Sequence, residues 1–119
     1  GISHEYAAKK AVEALKRPYN KLKIITCHLG GGASITAINK GKVIDTSMGF
    51  TPLEGLAMMT RCGNIDPGII LNLAKKFPVN RVEDVLNKES GLKGVCGESE
   101  MLKVLVKIKA GNKRAKLAL

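Results

Sequence analysis

The sequence predicts an α/β fold, an antiparallel strand meander flanked by helices, and three observations lead there. Residues 3–15 place apolar side chains at helical spacing, residues 22–47 hold three β-rich runs divided by glycine-containing turns, and helical patterns punctuated by Gly and Pro resume from Asp66 onward. Size and composition admit this reading. The 119 residues amount to about one domain or a piece of one. An apolar share of 45% with only 3% aromatic residues means a core of Ile, Leu, Val, Met and Ala rather than of rings. No apolar run approaches the ~20 residues that a membrane-spanning helix needs.

In chain order, Tyr6, Ala7, Ala11, Val12 and Leu15 form one helix face, with Ser3 as the expected N-cap and Arg17-Pro18 as the stop, because a residue before Pro disfavours the helical conformation. Residues 22–29 read as a buried strand halted by Gly30-Gly31-Gly32. Residues 34–39 and 42–47 alternate and are joined by the Lys40-Gly41 turn. Thr51-Pro52-Leu53-Glu54 has the cap, Pro and acid of a helix start, so a helical turn is expected there. Residues 60–64 read as a loop. Asp66-Pro67 caps a helix with Ile70, Leu73 and Ala74 on its apolar face, ending before Pro78. This helix, over 67–76, and the helix of residues 4–16 are expected to cover the sheet. A short helix is expected over 82–87, a Gly-punctuated loop over 90–97, and a helix over 99–109, where alternating Val and Lys keep a strand open. Another helix runs from Lys113 to Leu119 without a C-cap signal. Both ends read as cut from a longer chain, and the opening residues carry no secretory leader pattern.

Charge is unevenly spread. Residues 1–100 carry 14 basic and 10 acidic groups, whereas residues 101–119 carry six basic groups and no acid, giving a net +10 for the chain. A basic tail can bind nucleic acid, but no aromatic residue interleaves these lysines to stack on bases, so a solvated helix face is the reading adopted. Cys27, Cys62 and Cys96 are odd in number and far apart, which argues against a disulfide framework or a zinc site and for a cytoplasmic, reducing location.

The stretch with chemical content is His28-Leu29-Gly30-Gly31-Gly32-Ala33-Ser34, a glycine cluster between two strands. Glycines can adopt φ > 0 and bring successive N–H groups onto an anion, forming a phosphate-cradling nest. A helix does not follow, so a Walker loop and a dinucleotide fold are excluded. A phosphate-gripping hairpin remains, alongside a tight turn with no ligand. His28 ends its strand pointing at the turn, where an imidazole can donate to a phosphoryl oxygen or be an ordinary core residue. Arg61 lies in a Gly-containing loop, as a surface cation or as a clamp on a transferring phosphoryl group. Cys27 should face away from His28 across the strand, and Met48, Met58 and Met59 read as core filler.

Taken together, His28–Ser34, the run Asp45-Thr46-Ser47-Met48-Gly49-Phe50-Thr51-Pro52-Leu53-Glu54-Gly55-Leu56, and Thr60-Arg61-Cys62-Gly63 strongly resemble the acetate kinase family. Gly1–Tyr6 and Gly111–Leu119 resemble two further segments of it, so the likeness extends over the whole chain. The resemblance implies a partial actin-like (ribonuclease H-like) kinase domain, with residues 1–119 as the first part of the C-terminal domain of a two-domain carboxylate kinase. It implies reversible phosphoryl transfer from ATP to acetate, giving acetyl phosphate and ADP, with propionate as the alternative acceptor. It further implies a homodimer and Mg²⁺ held by residues outside this chain. Carried over by position, Arg61 and His28 are the catalytic candidates. His28, Leu29, Gly30, Gly31 and Gly32, with Glu100 and Met101, are expected to bind the nucleotide, and Pro52 to line the acetate methyl pocket. Residues 1–119 alone are expected to be inactive.

Three positions depart from the family pattern. Gly31 stands where Asn is usual, Met59 where a Gly is usual before Thr-Arg, and Glu100-Met101-Leu102 lacks the Arg of the corresponding segment, with Lys103 the nearest cation.

Overall fold

A computed structural model describes residues 1–119. Helix α1 (Ile2–Leu15) is followed by a 3₁₀ turn (Tyr19–Lys21). Three strands come next, β1 (Lys23–Leu29), β2 (Ala33–Asn39) and β3 (Lys42–Thr46), and then five helices: α2 (Pro67–Ala74), α3 (Val79–Lys88), α4 (Gly91–Cys96), α5 (Met101–Lys109) and α6 (Lys113–Ala118). The strands pair antiparallel in the order β1-β2-β3, as the alternation predicts.

The turns fix the register. Lys40 and Gly41 both have positive φ, 52° and 83°, the geometry of a type I′ turn, whose twist matches that of the flanking strands. A bulge between Ala37 and Ile38 then shifts the β2–β3 pairing. Leu29 opposes Ala33, so Gly30–Gly32 form a three-residue hairpin loop closed by the Gly30 N–H donating to the Gly32 carbonyl at 3.0 Å.

One face of the sheet is covered, by α1, which packs on β1. Central β2 is accordingly the buried strand, with Ser34, Thr36 and Ile38 inside, while β3 is exposed throughout. Helix α2 does not join α1 there. Its apolar side docks on the strongly amphipathic α3, where Leu73, Phe77, Val82 and Val85 meet, so the expectation that residues 67–76 cover the sheet is corrected. A second apolar cluster, Leu92, Cys96, Val104 and Ala115 with Ile108 and Ala118 against it, ties α4, α5 and α6 together. The radius of gyration is 17.3 Å, against about 13.5 Å for a compact domain of this length. The chain is a slab with open faces, and 16 of its 119 residues are buried.

Other expectations shift in physically clear ways. Residues 51–54 make a turn but no helix, because Glu54 N–H reaches Thr51 O at only 3.4 Å and Gly55, at φ 104°, breaks propagation. Residues 91–96, expected as loop, are helical. Helix α3 begins directly after Pro78 and runs longer than expected, and residues 101–109 are helix rather than strand. The Asp66 carboxylate caps α2 by accepting from Gly68 N–H at 2.8 Å, and the Asn112 side chain caps α6 by accepting from Ala115 N–H at 2.9 Å. Ser3 is not the N-cap of α1. Gly1 holds that position, and Ser3 lies in the first turn with its hydroxyl turned elsewhere.

Candidate functional site

The hairpin between β1 and β2 is the centre of the site. His28, one residue before the end of β1, lies 3.2 Å from Ser3 Oγ through its Nδ1. A hydroxyl donating there leaves Nε2 as the protonated nitrogen, and Nε2 faces the loop, 3.3 Å from the point a Cβ on Gly30 would occupy. Arg61 Nη1 lies 3.2 Å from the corresponding point on Gly32, and Met59 Sδ 3.6 Å from that on Gly31. Each of the three glycines therefore faces one side chain brought in from elsewhere in the chain or from the strand end.

This corrects the reason for the glycines. None of Gly30, Gly31 and Gly32 is in the left-handed region, so no φ > 0 nest is formed. At Gly30 and Gly32 an added Cβ would press on His28 Nε2 and Arg61 Nη1, at 3.3 and 3.2 Å, so glycine there lets these two polar groups close on the loop, whereas the 3.6 Å to Met59 Sδ at Gly31 is an ordinary contact. The anion-binding capacity survives in another form. Gly30 N–H is consumed within the loop, but the N–H groups of Gly31 and Gly32 donate to no carbonyl, which leaves two free amides between an imidazole and a guanidinium.

Arg61 keeps its charge available. It takes part in none of the six ion pairs of the chain, and its nearest acceptors are Pro52 O at 3.4 Å and Met58 Sδ at 3.9 Å. With Pro52 and Leu53 it lines a cleft of about 280 Å³. A polar cavity of about 420 Å³ lies on the His28 side, lined by Ser3, His4, His28, Gly32, Ser34 and Thr46 among others. A third, apolar cavity of about 450 Å³ includes Leu29, Gly30, Gly31, Met59 and Met101. Of the expected nucleotide segment, Met101 thus borders the loop, whereas Glu100 is turned into an exposed ion pair with Lys103 at 2.7 Å.

The set suits a phosphate chain, with two amides lacking carbonyl partners, one guanidinium without an ion-pair partner and one imidazole gathered at a single loop. It does not fit a divalent cation. No group of three or more His, Cys, Asp or Glu residues converges anywhere in the chain, and Mg²⁺ demands carboxylate and water oxygens in octahedral array. Cys62 is no nucleophile here, since burial raises its thiol pKa and its Sγ is 3.1 Å from Gly63 O.

The residue that sequence reasoning missed is His4. It is buried beneath the hairpin, with Nδ1 2.7 Å from Thr26 Oγ1 on β1 and Nε2 2.8 Å from Ser34 Oγ on β2, its ring centroid 6.4 Å from that of His28. The spacing of His4 from Thr26 and Ser34 carries no local signal, so only the packing of α1 on the sheet reveals the clasp. Burial first, and then the positive charges of the amino terminus at Gly1 and of His28, hold His4 below its ordinary pKa of 6.5. Above pH 6.5 the folded and unfolded forms are both neutral at this ring. Below it the unfolded chain takes up a proton that the folded chain resists, so stability falls from about pH 6.5 downward until the folded pKa is passed. Melting midpoints measured from pH 8 to 5 should show this loss in the native protein and a shallower one in His4→Gln.

A family model described as the Acetokinase family matches residues 1–119. Acetate kinases from Alkaliphilus metalliredigens and Carboxydothermus hydrogenoformans are 55% and 54% identical over 100% of the chain, covering 31% and 30% of those proteins. Among solved structures, Porphyromonas gingivalis acetate kinase superposes with a TM-score of 0.93 at 45% identity, over 99% of this chain and 30% of that one. A propionate kinase from Francisella tularensis gives 0.91 at 45% identity, over 99% and 31%. The chain thus spans about a third of the length of the relatives it matches.

Proposed function

The chain belongs to the acetokinase family, and from that premise we propose that it supplies the phosphate-gripping part of a kinase that reversibly transfers the γ-phosphoryl group of ATP to acetate. The products are acetyl phosphate and ADP. Residues 1–119 are then the opening of the C-terminal domain of a two-domain carboxylate kinase, a cytoplasmic protein that works as a homodimer. What carries the reading is the placing of His28 against Gly30 and Arg61 against Gly32 of one loop in which the Gly31 and Gly32 amides have no carbonyl partner.

The chemistry asks little of the protein beyond position and charge. An oxygen of the ionised carboxylate attacks the γ-phosphorus, the bond from phosphorus to the β,γ-bridging oxygen breaks, and no proton need move. Negative charge spreads over the equatorial oxygens in flight. The Arg61 fork and the His28 Nε2–H meet that charge from two sides, and the Gly31 and Gly32 amides hold the phosphates in line. Pro52, in the cleft with Arg61, sets a wall for the small alkyl group of the carboxylate. Mg²⁺, bound by residues beyond this chain, would neutralise the phosphate oxygens.

Propionate is the second acceptor to weigh, because the Francisella propionate kinase matches almost as well as the acetate kinase. Coupled assays of the intact protein with ATP and acetate, propionate or butyrate decide the matter. Acetate turning over with the highest kcat/KM is the expected result, propionate leading would reassign the acceptor, and no turnover of any of the three defeats the proposal.

A further inference from the structure

Arg61 sits on a segment without secondary structure, yet its backbone is bound more tightly than that of most loops. Met58 N–H donates to Arg61 O at 3.0 Å and closes the turn, and the Met58 side chain is almost fully buried beneath it. The rest of the segment is held by the corner between α3 and α4. Ser90, Leu92 and Lys93 N–H groups donate to the carbonyls of Thr60, Met58 and Met59 at 2.9, 2.9 and 3.0 Å. In return Cys62 N–H donates to Leu86 O at 2.9 Å, and the Thr60 hydroxyl donates to Asn87 O at 2.8 Å. A helix leaves its first N–H groups and last carbonyls without internal partners. Here the end of α3 and the start of α4 both find theirs in residues 58–62, so the two helix ends and the loop complete one another.

We propose that Thr60 is a positioning residue for Arg61, its hydroxyl fixing the direction in which the guanidinium leaves the backbone toward Gly32. The inference rests on the phosphoryl-transfer reading given above. Among the five bonds from the loop to the corner, the Thr60 hydroxyl is the only one made by a side chain, and therefore the only one a substitution removes without altering the backbone. It lies next to the residue it would aim. Arg61 has a single backbone acceptor, the Pro52 carbonyl at a long 3.4 Å, so its aim depends on where its own Cα is held. In a reaction driven by positioning, a small displacement of a charge-stabilising group is costly in rate.

The test is a double-mutant cycle in the intact protein. Thr60→Val keeps the volume and removes the donor, whereas Thr60→Ser keeps the donor. The expected result is a fall in kcat of about tenfold for Thr60→Val, the worth of one hydrogen bond, with KM for ATP unchanged and Thr60→Ser close to the native enzyme. In an Arg61→Ala background the same Thr60→Val change should cost nothing further, because its effect passes through Arg61. An equal loss in both backgrounds, an equal loss for Thr60→Ser, or no loss at all overturns the positioning role while leaving the reading of Arg61 intact. Full activity of Arg61→Ala itself overturns that reading, and the positioning role with it.

Discussion

Arg61→Ala in the intact protein is expected to lower kcat by about a thousandfold, the smaller end of what a guanidinium supplies to phosphoryl transfer, while KM for ATP changes little. The size follows from the isolation of the group. No carboxylate pairs with Arg61, and its contacts with Pro52 O and Met58 Sδ are long, so almost all of its donor capacity is free for charge that develops only in flight. An interaction made only at that stage appears in kcat and not in ground-state binding. Arg61→Lys should recover a minor part, because an ammonium keeps the charge but not the planar fork that spans two oxygens. Initial rates for both variants, with acetate and ATP each varied, measure the split. A rise in KM for ATP with kcat preserved would make Arg61 a nucleotide anchor instead.

How much of this is legible in the sequence depends on the range over which each feature is determined. The meander of β1, β2 and β3 is, because alternation and the Lys40-Gly41 turn are local facts of the chain. So is the cap of α2, set by Asp66 within two residues of its partner Gly68. Helix α4 is not. It has six residues, two of them glycine, and its Leu92 and Lys93 amides, with that of its N-cap Ser90, are taken up by the carbonyls of Met58, Met59 and Thr60, a tertiary cause with no local signature. The glycine loop was found in the right place for an incomplete reason. Composition marks where side chains are absent, and only the fold shows that His28 and Arg61 close on the loop at Gly30 and Gly32. The same holds for His4, whose two hydroxyl partners belong to different strands.

Gly91→Ala is expected to be the most damaging single methyl in this chain's helical half, and its contrast with Gly97→Ala isolates the reason. Both residues have positive φ, 60° and 72°, and the left-handed conformation alone costs an L-residue about 1–2 kcal/mol. At Gly97 a Cβ meets nothing within 4 Å, so that cost is the whole of it. At Gly91 the Cβ would lie 2.1 Å from Met58 O and 2.7 Å from Arg61 O, against backbone that cannot turn aside as a side chain could. Relief requires the α3–α4 corner to withdraw from residues 58–62. That breaks the Leu92 and Lys93 amide bonds and leaves helix-end groups unpaired in a partly buried site. The loss should exceed that of Gly97→Ala by about 2–4 kcal/mol, in the range of broken buried networks, and urea midpoints of the two variants measure it. Catalysis should follow the same order. Gly97→Ala leaves the Arg61 loop in place and so retains native kcat, while Gly91→Ala, assayed below its melting temperature, loses rate beyond its loss of folded protein because the backbone that aims Arg61 has moved. Equal destabilisation of the two variants would mean that conformation at residue 91, and not its packing against the Met58 carbonyl, sets the requirement for glycine.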